Sequence, residues 1–270
     1  MVHTTEQNRT SIPKIIHHTW FGKDPYPSIV RKCIFSWKKY LPDYEIILWT
    51  ADNFDMDICP WIREAYDAKK YAFVADYARF YLLAEYGGLY LDADVEILKC
   101  LDPLLNQRGF VGRLSSPLTY ESLGGAVIGS EKGHPIFWEL ADEYNALTFV
   151  SETKTLNTFI TESFVMCNVF SRHGLVRSNC LQSIEGITIY PYEYFPWTTA
   201  PGIFQPLNSA YTLHHPYGSW LNDKTGFSKL FLKGNRIANH HYIFLSKILR
   251  NTIGEKNGMR LIQYYQKLQK

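Results

Sequence analysis

The sequence predicts an α/β fold with parallel strand pairing, and three observations carry that expectation. Apolar strand-like runs alternate with helical segments from Ile12 to Leu91, the pattern that builds parallel sheets with right-handed crossovers. The pair Gly87-Gly88 stops a helical run just before the next strand, where a C-terminal cap belongs. That strand then ends in two carboxylates, Asp92 and Asp94, and ligands of open α/β sheets bind beyond such carboxyl ends.

In chain order, Ile12 to Phe21 reads as a first strand and Gly22 opens a loop. Pro27 suits the first turn of a helix running to Tyr40, closed by Pro42. Tyr44 to Trp49 is a short aromatic and β-branched strand, and residues 51–70 read as loop and helix. A helix over Ala72 to Tyr86 leads into the acidic strand at Leu89. Gly124 to Gly129 reads as a strand, Pro135 starts a helix reaching Leu147, and a second helix is expected over Ser151 to Arg172. Ile187 to Gly202, rich in proline and aromatics, reads as irregular, and Tyr211 to His215 as a late strand. The last residues show helical periodicity interrupted near Gly254 and Gly258. With no repeat or linker, one domain over 1–270 is expected.

At 270 residues, 46% apolar and 20% charged, the chain suits a soluble globular core. The formal charge of +2 is unevenly spread. Lys224 to Lys270 holds ten Lys or Arg against Glu255 alone, so the rest is net acidic. A basic segment of this kind suits an anionic membrane surface, and no nucleic-acid-binding signature accompanies it. Five cysteines without C-x-x-C spacing predict reduced thiols rather than a zinc site or disulfides. Met1 to Ser11 lacks the apolar stretch of a signal peptide. The longest apolar candidate, Tyr71 to Leu91, is broken by Asp76, Arg79 and Glu85, so no membrane span is expected.

Alternate side chains of an extended segment share a face, so Asp92 and Asp94 point the same way. Two hard oxygen donors there suit Mn²⁺ or Mg²⁺ with room left for a diphosphate. Asp76 and Arg79, three apart, share a helix face in surroundings too apolar for a solvated ion pair. A carboxylate and a guanidinium so placed would grip sugar hydroxyls and bring positive charge to a phosphate. Gly124-Gly125, at a strand mouth, admits close approach of a ligand or is a packing pair. Tyr192, Tyr194 and Trp197 read as core or as an acceptor platform. His17 and His18 alternate faces, so at most one reaches the site.

Four blocks then stand out: Ile12-Pro13-Lys14-Ile15-Ile16-His17-His18-Thr19-Trp20, Ala75-Asp76-Tyr77-Ala78-Arg79, Tyr86 to Asp94, and His214 to Trp220. In this order they resemble the DXD-motif sugar transferases of glycosyltransferase family 32, which include bacterial capsule and lipopolysaccharide enzymes and yeast mannosyltransferases and are related to clostridial glucosylating toxins. The resemblance implies a glycosyltransferase type A fold, Rossmann-like, with a mixed, mostly parallel sheet and appended C-terminal helices. On it, residues 1–110 form a nucleotide-sugar-binding half, 111–222 an acceptor half, and 223–270 a basic helical region. Trp20 would lie against the nucleotide base, and Asp76 and Arg79 would contact the donor sugar. Asp92 would meet the ribose or the hydrated metal, and Asp94 the metal itself. Gly125 would line the donor, while Ser219 and Trp220 close over the diphosphate. The third metal ligand is expected at His215, with His214 as the alternative.

The implied activity is metal-dependent transfer of a hexose, with retention of configuration, from a nucleotide sugar to a glycan acceptor. A UDP-sugar is the favoured donor and GDP-mannose the alternative. Asp76, Arg79, Asp92 and Asp94 are the expected catalytic set. Same-face attack by the acceptor is favoured over a covalent intermediate, because no further carboxylate offers itself as nucleophile. The setting expected is surface polysaccharide synthesis, in the cytoplasm, on a lipid-linked acceptor, with residues 224–270 touching the inner membrane face. A toxin-like transferase acting on protein and a nucleotide-sugar-binding protein without turnover are the alternatives.

Overall fold

The computed structural model describes residues 12–114, 122–176, 178–197 and 208–215. A seven-stranded sheet runs through them, built from β1 (Ile15–Thr19), β2 (Glu45–Trp49), β3 (Gly88–Leu91), β5 (Gly109–Arg113), β6 (Leu123–Ser130), β7 (Gln182–Ile184) and β8 (Ile187–Tyr190). Their spatial order is β2-β1-β3-β6-β5-β8-β7. The sheet is mixed, as expected: β2-β1, β1-β3 and β5-β8 are parallel, while β3-β6, β6-β5 and β8-β7 are antiparallel. Because β1, β2 and β3 are parallel neighbours, Trp20, Thr50 and Asp92 leave the sheet at one edge. A separate antiparallel pair joins β4 (Val95–Ile97) to β9 (Thr212–His214).

Helices cover both faces. One face carries α2 (Pro60–Asp67), α3 (Tyr71–Tyr86), α4 (Pro135–Asn145) and α5 (Glu162–Arg172) over a core that includes Trp61, Phe80, Tyr144 and Phe170. The other carries α1 (Ser28–Tyr40) over Ile16, Trp37, Leu91 and Val95. Helix α3 is buried over most of its circumference, Phe73 to Phe80 without a break. A helix apolar all round is an interior helix, and α3 is wedged between the sheet and α2, α4 and α5. Its two charged residues in that run, Asp76 and Arg79, are therefore taken out of water by the packing of their neighbours. Gly87 ends the helix at φ 68°, and Gly88 follows at φ 99°, conformations in which a side chain is strained.

Two sequence expectations need correction. Residues 151–161 are not helical: Val150 bridges to Leu156, Ser151 donates its N–H to Thr155, and α5 starts only where Thr161 Oγ1 accepts from the N–H of Phe164. Ser, Thr and Asn side chains here outcompete helix formation by hydrogen-bonding nearby backbone. The region from 182 is also more regular than expected, because Glu185-Gly186, both at positive φ, form the tight turn of a β7-β8 hairpin. The five cysteines are free thiols. Among the described residues no helix is long and apolar enough to cross a membrane. The basic segment 224–270 lies outside the described residues.

The alternation of His17 and His18 has a consequence for stability. His17 faces α3, donating Nε2–H to the Gly87 carbonyl (2.9 Å) and accepting from Trp49 Nε1 (3.1 Å). His18 faces α1, its ring edge-on to Trp37 at 5.1 Å. Burial, with the charge of His17 adding, pushes His18 from 6.5 down to about 4. The fold therefore holds His18 neutral, while the unfolded chain takes up a proton below pH 6.5. Its contribution is fully present above that pH and lost as pH falls toward 4, about 3 kcal/mol in all. Denaturant unfolding of H18F, which keeps a ring against Trp37, should show a shallower loss of stability between pH 6.5 and 4 than the unsubstituted chain.

Candidate functional site

The edge where β1 and β3 end collects charge. Arg79 is 4% exposed and Asp76 5%, and their side chains pair at 3.0 Å through Nη2 and Oδ1. The same Nη2 lies 3.4 Å from Asp92 Oδ1, so one guanidinium links the helix pair to the acidic turn after β3. Arg79 Nε donates to the Ala75 carbonyl (3.2 Å), and the guanidinium carbon sits 4.9 Å from the centre of the Tyr90 ring. Tyr90 in turn shares a hydrogen bond with Thr19 Oγ1 at the end of β1 (3.1 Å). The arginine is thus held through Nη2, Nε and the flat of its guanidinium before any ligand arrives.

Asp92 donates its backbone N–H to the Ala126 carbonyl on β6 (2.9 Å), which fixes the turn. The β4-β9 pair then sets His214 opposite Val95, and His214 Nε2 lies 3.1 Å from Asp94 Oδ1. Ligand atoms of Asp92, Asp94 and His214 all fall within 4.8 Å of one another. Of the two histidines expected as the third ligand, the structure sets the alternative, His214, beside the aspartates. His215 Nε2 bonds instead to Glu96 at 2.7 Å, and Glu96 also pairs with Lys32 at 2.9 Å. A one-residue step along a strand reverses the face, and the register of β9 turns the first histidine, not the second, toward the aspartates.

The cluster is electrostatically tense. Burial raises the Asp76 carboxyl well above its ordinary range, Glu162 adds to the rise, and Arg79 opposes it. Burial also raises Asp92, against Arg79 and with help from Asp94. For His214 burial disfavours the charge, yet Asp94 and Asp92 outweigh it and the imidazole is raised. Carboxylates pushed up and an imidazole drawn toward its charged form mark a site short of positive charge. The two carboxylates suit Mn²⁺ or Mg²⁺, with the imidazole beside them as a nitrogen donor.

Gly125 lies on β6 against these groups: a Cβ there would overlap Arg79 Nη1 and Glu162 Cγ. Trp20 follows Thr19 at the end of β1, half-buried, donating Nε1–H to the Asp24 carbonyl (2.8 Å), with Tyr26 edge-on at 4.9 Å. Tyr194 packs against Tyr190 and Tyr211. Ser219 and Trp220 lie outside the described residues. The residue that sequence reasoning missed is Glu162. Its Oε1 stands 4.0 Å from Arg79 Nη1, and its backbone N–H donates to Asp76 Oδ2 (3.3 Å). A threonine N-cap followed by an acidic first turn, Thr161-Glu162, is the signal that places it at a helix start.

Residues 2–186 match the family described as capsular polysaccharide synthesis protein. The chain belongs to that family. Among curated relatives, this capsular polysaccharide synthesis family member is 36% identical over 224 residues to inositol phosphoceramide mannosyltransferase 3 of Schizosaccharomyces pombe, covering 80% of this chain and 58% of the relative. It is 37% identical over 133 residues to mannosyl phosphorylinositol ceramide synthase CSH1 of Saccharomyces cerevisiae, covering 47% and 33% respectively. The chain thus spans little more than half the length of the first of these and a third of the second. A solved glycosyltransferase involved in glycosylation of the major capsid of PBCV-1 is similar at 14% identity and TM-score 0.46, covering 74% of this chain and 92% of that one.

Proposed function

We propose that this chain is a divalent-metal-dependent glycosyltransferase that moves a hexose, by preference mannose, from a nucleoside diphosphate sugar to a hydroxyl of a lipid-borne acceptor. The observation that carries it is the meeting of Asp92, Asp94 and His214, distant in sequence, beside the buried Asp76–Arg79 pair at the carboxyl edge of a parallel β2-β1-β3 unit. The arrangement agrees with what the resemblance to DXD-motif sugar transferases implies. The names of the two yeast relatives favour mannose and a phosphorylinositol ceramide type of acceptor over the capsule or O-antigen setting expected from sequence.

Asp92, Asp94 and His214 would hold the ion. A bound Mn²⁺ or Mg²⁺ would neutralise the charge gathering on the leaving diphosphate. Arg79, fixed by Asp76, Asp92 and Tyr90, presents positive charge at the same edge without reorganising. Trp20 and Tyr26 offer ring faces to a base at the end of β1. Retention follows if the acceptor oxygen adds to the anomeric carbon on the face the phosphate leaves. The C–O bond to phosphate breaks, and the acceptor's proton passes to a phosphate oxygen.

Thermal unfolding with Mn²⁺ plus GDP-mannose, GDP, UDP-glucose or UDP tests this reading. At a hundredfold excess over Kd a ligand of the folded form adds about 2.7 kcal/mol, a clear rise in Tm that EDTA should abolish. Slow metal-dependent release of nucleoside diphosphate should accompany it. Neither a shift nor release with any of the four would remove the proposal.

A further inference from the structure

Three of the four faces of Arg79 are spoken for. Nη2 serves Asp76 and Asp92, Nε serves the Ala75 carbonyl, and the flat of the guanidinium meets Tyr90. Nη1 is different. It is buried, and among the described residues no acceptor lies within hydrogen-bond distance of it. A guanidinium N–H left this way is costly, and a ligand that supplies the missing acceptor relieves that cost.

Glu162 Oε1 stands 4.0 Å from Nη1. That is too long for a direct hydrogen bond, but one oxygen atom placed beside the pair reaches both at ordinary length. Glu162 is the side that opens: its side chain is 23% exposed against 5% for Arg79. Its position is nonetheless fixed. Thr161 caps the helix on which it sits, its backbone is tied to Asp76, and the preceding loop is anchored where Glu64 accepts the N–H groups of Phe149 and Val150 (2.7 and 2.8 Å). Gly125 closes the third side with backbone alone.

The chemistry of the gap selects its occupant. Nη1–H offers a donor and Glu162 an acceptor, so the matching group must accept from one and donate to the other. A hydroxyl does both. A phosphate oxygen is repelled by Glu162, and an apolar group leaves both partners unsatisfied. We infer that Arg79 Nη1 and Glu162 clamp one hydroxyl of the transferred sugar, making Glu162 a specificity-determining residue that reads the sugar rather than the nucleotide. This rests on the transfer reading above. Sites built to pair with a hydroxyl discriminate sharply, because the analogue lacking it leaves buried polar groups unpaired.

The test compares two pairs of ligands on the full chain with Mn²⁺, by calorimetry: GDP-mannose against GDP, and UDP-glucose against UDP. For whichever sugar nucleotide the unsubstituted chain binds, E162A should weaken it about tenfold to a hundredfold and leave the bare diphosphate unchanged. E162Q keeps the side chain's bulk and one acceptor oxygen, so it should show a smaller loss of the same kind, and it carries the comparison if E162A does not fold. Equal losses on sugar nucleotide and diphosphate, or no loss on either, overturn the inference while the transfer reading stands. Binding of neither ligand by the unsubstituted chain overturns both.

Discussion

Replacing Asp92 with asparagine is expected to lower sugar transfer by about a thousandfold, while the metal-free protein stays as stable as before or gains. The two effects have one origin. Asp92 sits where burial and the charge of Asp94 push its carboxyl up, with Arg79 only partly compensating. A carboxyl raised in the folded state takes stability away at neutral pH, because the unfolded chain ionises it more easily. Asparagine keeps the shape and removes that cost. It also removes one of the oxygen donors that, with Asp94 and His214, fall within 4.8 Å of one another. Activity, the Mn²⁺-dependent rise in Tm and the Tm without metal should be measured together. A variant that keeps its Mn²⁺ response, or that loses activity only by unfolding, would contradict this account.

The parts of the site that lie close together in sequence were legible from it. Asp92-x-Asp94 stands out as an acidic pair at a strand end, although the structure sets the two in the β3-β4 turn, where Val95 donates its N–H to the Asp92 carbonyl, and not on one face of a strand. Asp76 with Arg79 needs only the helix period, a local rule. Gly87, at φ 68°, shows as a helix stop for the same reason. His214 was not legible against His215, because its face depends on how β9 registers with β4, more than a hundred positions away. Glu162 was hidden by an error of helix length: a helix drawn from Ser151 buries it mid-element, whereas the cap at Thr161 puts it at the mouth of the site. The β7-β8 hairpin carried its turn signal in Glu185-Gly186, but its strands of three and four residues are too short for alternation to stand out. Sequence thus conveys elements and local pairs, and tertiary register decides which histidine and which glutamate complete them.

Arg79→Met should have the largest effect on the fold itself, about 3–5 kcal/mol lost together with activity. Methionine matches the length and much of the volume of the stem, so packing changes little. What it removes is the guanidinium set among three carboxylates: Asp76 at 3.0 Å, Asp92 at 3.4 Å and Glu162 at 4.0 Å. Asp76, 5% exposed, then has no countercharge and must either ionise in an apolar interior or hold its proton. The second outcome is the cheaper, so the loss should shrink as pH falls and the carboxyls protonate. A second substitution distinguishes this from simple loss of packing. D76N/R79M removes the stranded charge along with its partner, so it should be more stable than R79M alone although it changes more of the core. Chemical denaturation of both variants at neutral and acid pH measures this directly. If the double variant is the less stable, the burial of Arg79 is a matter of packing and the carboxylates around it are not what holds it there.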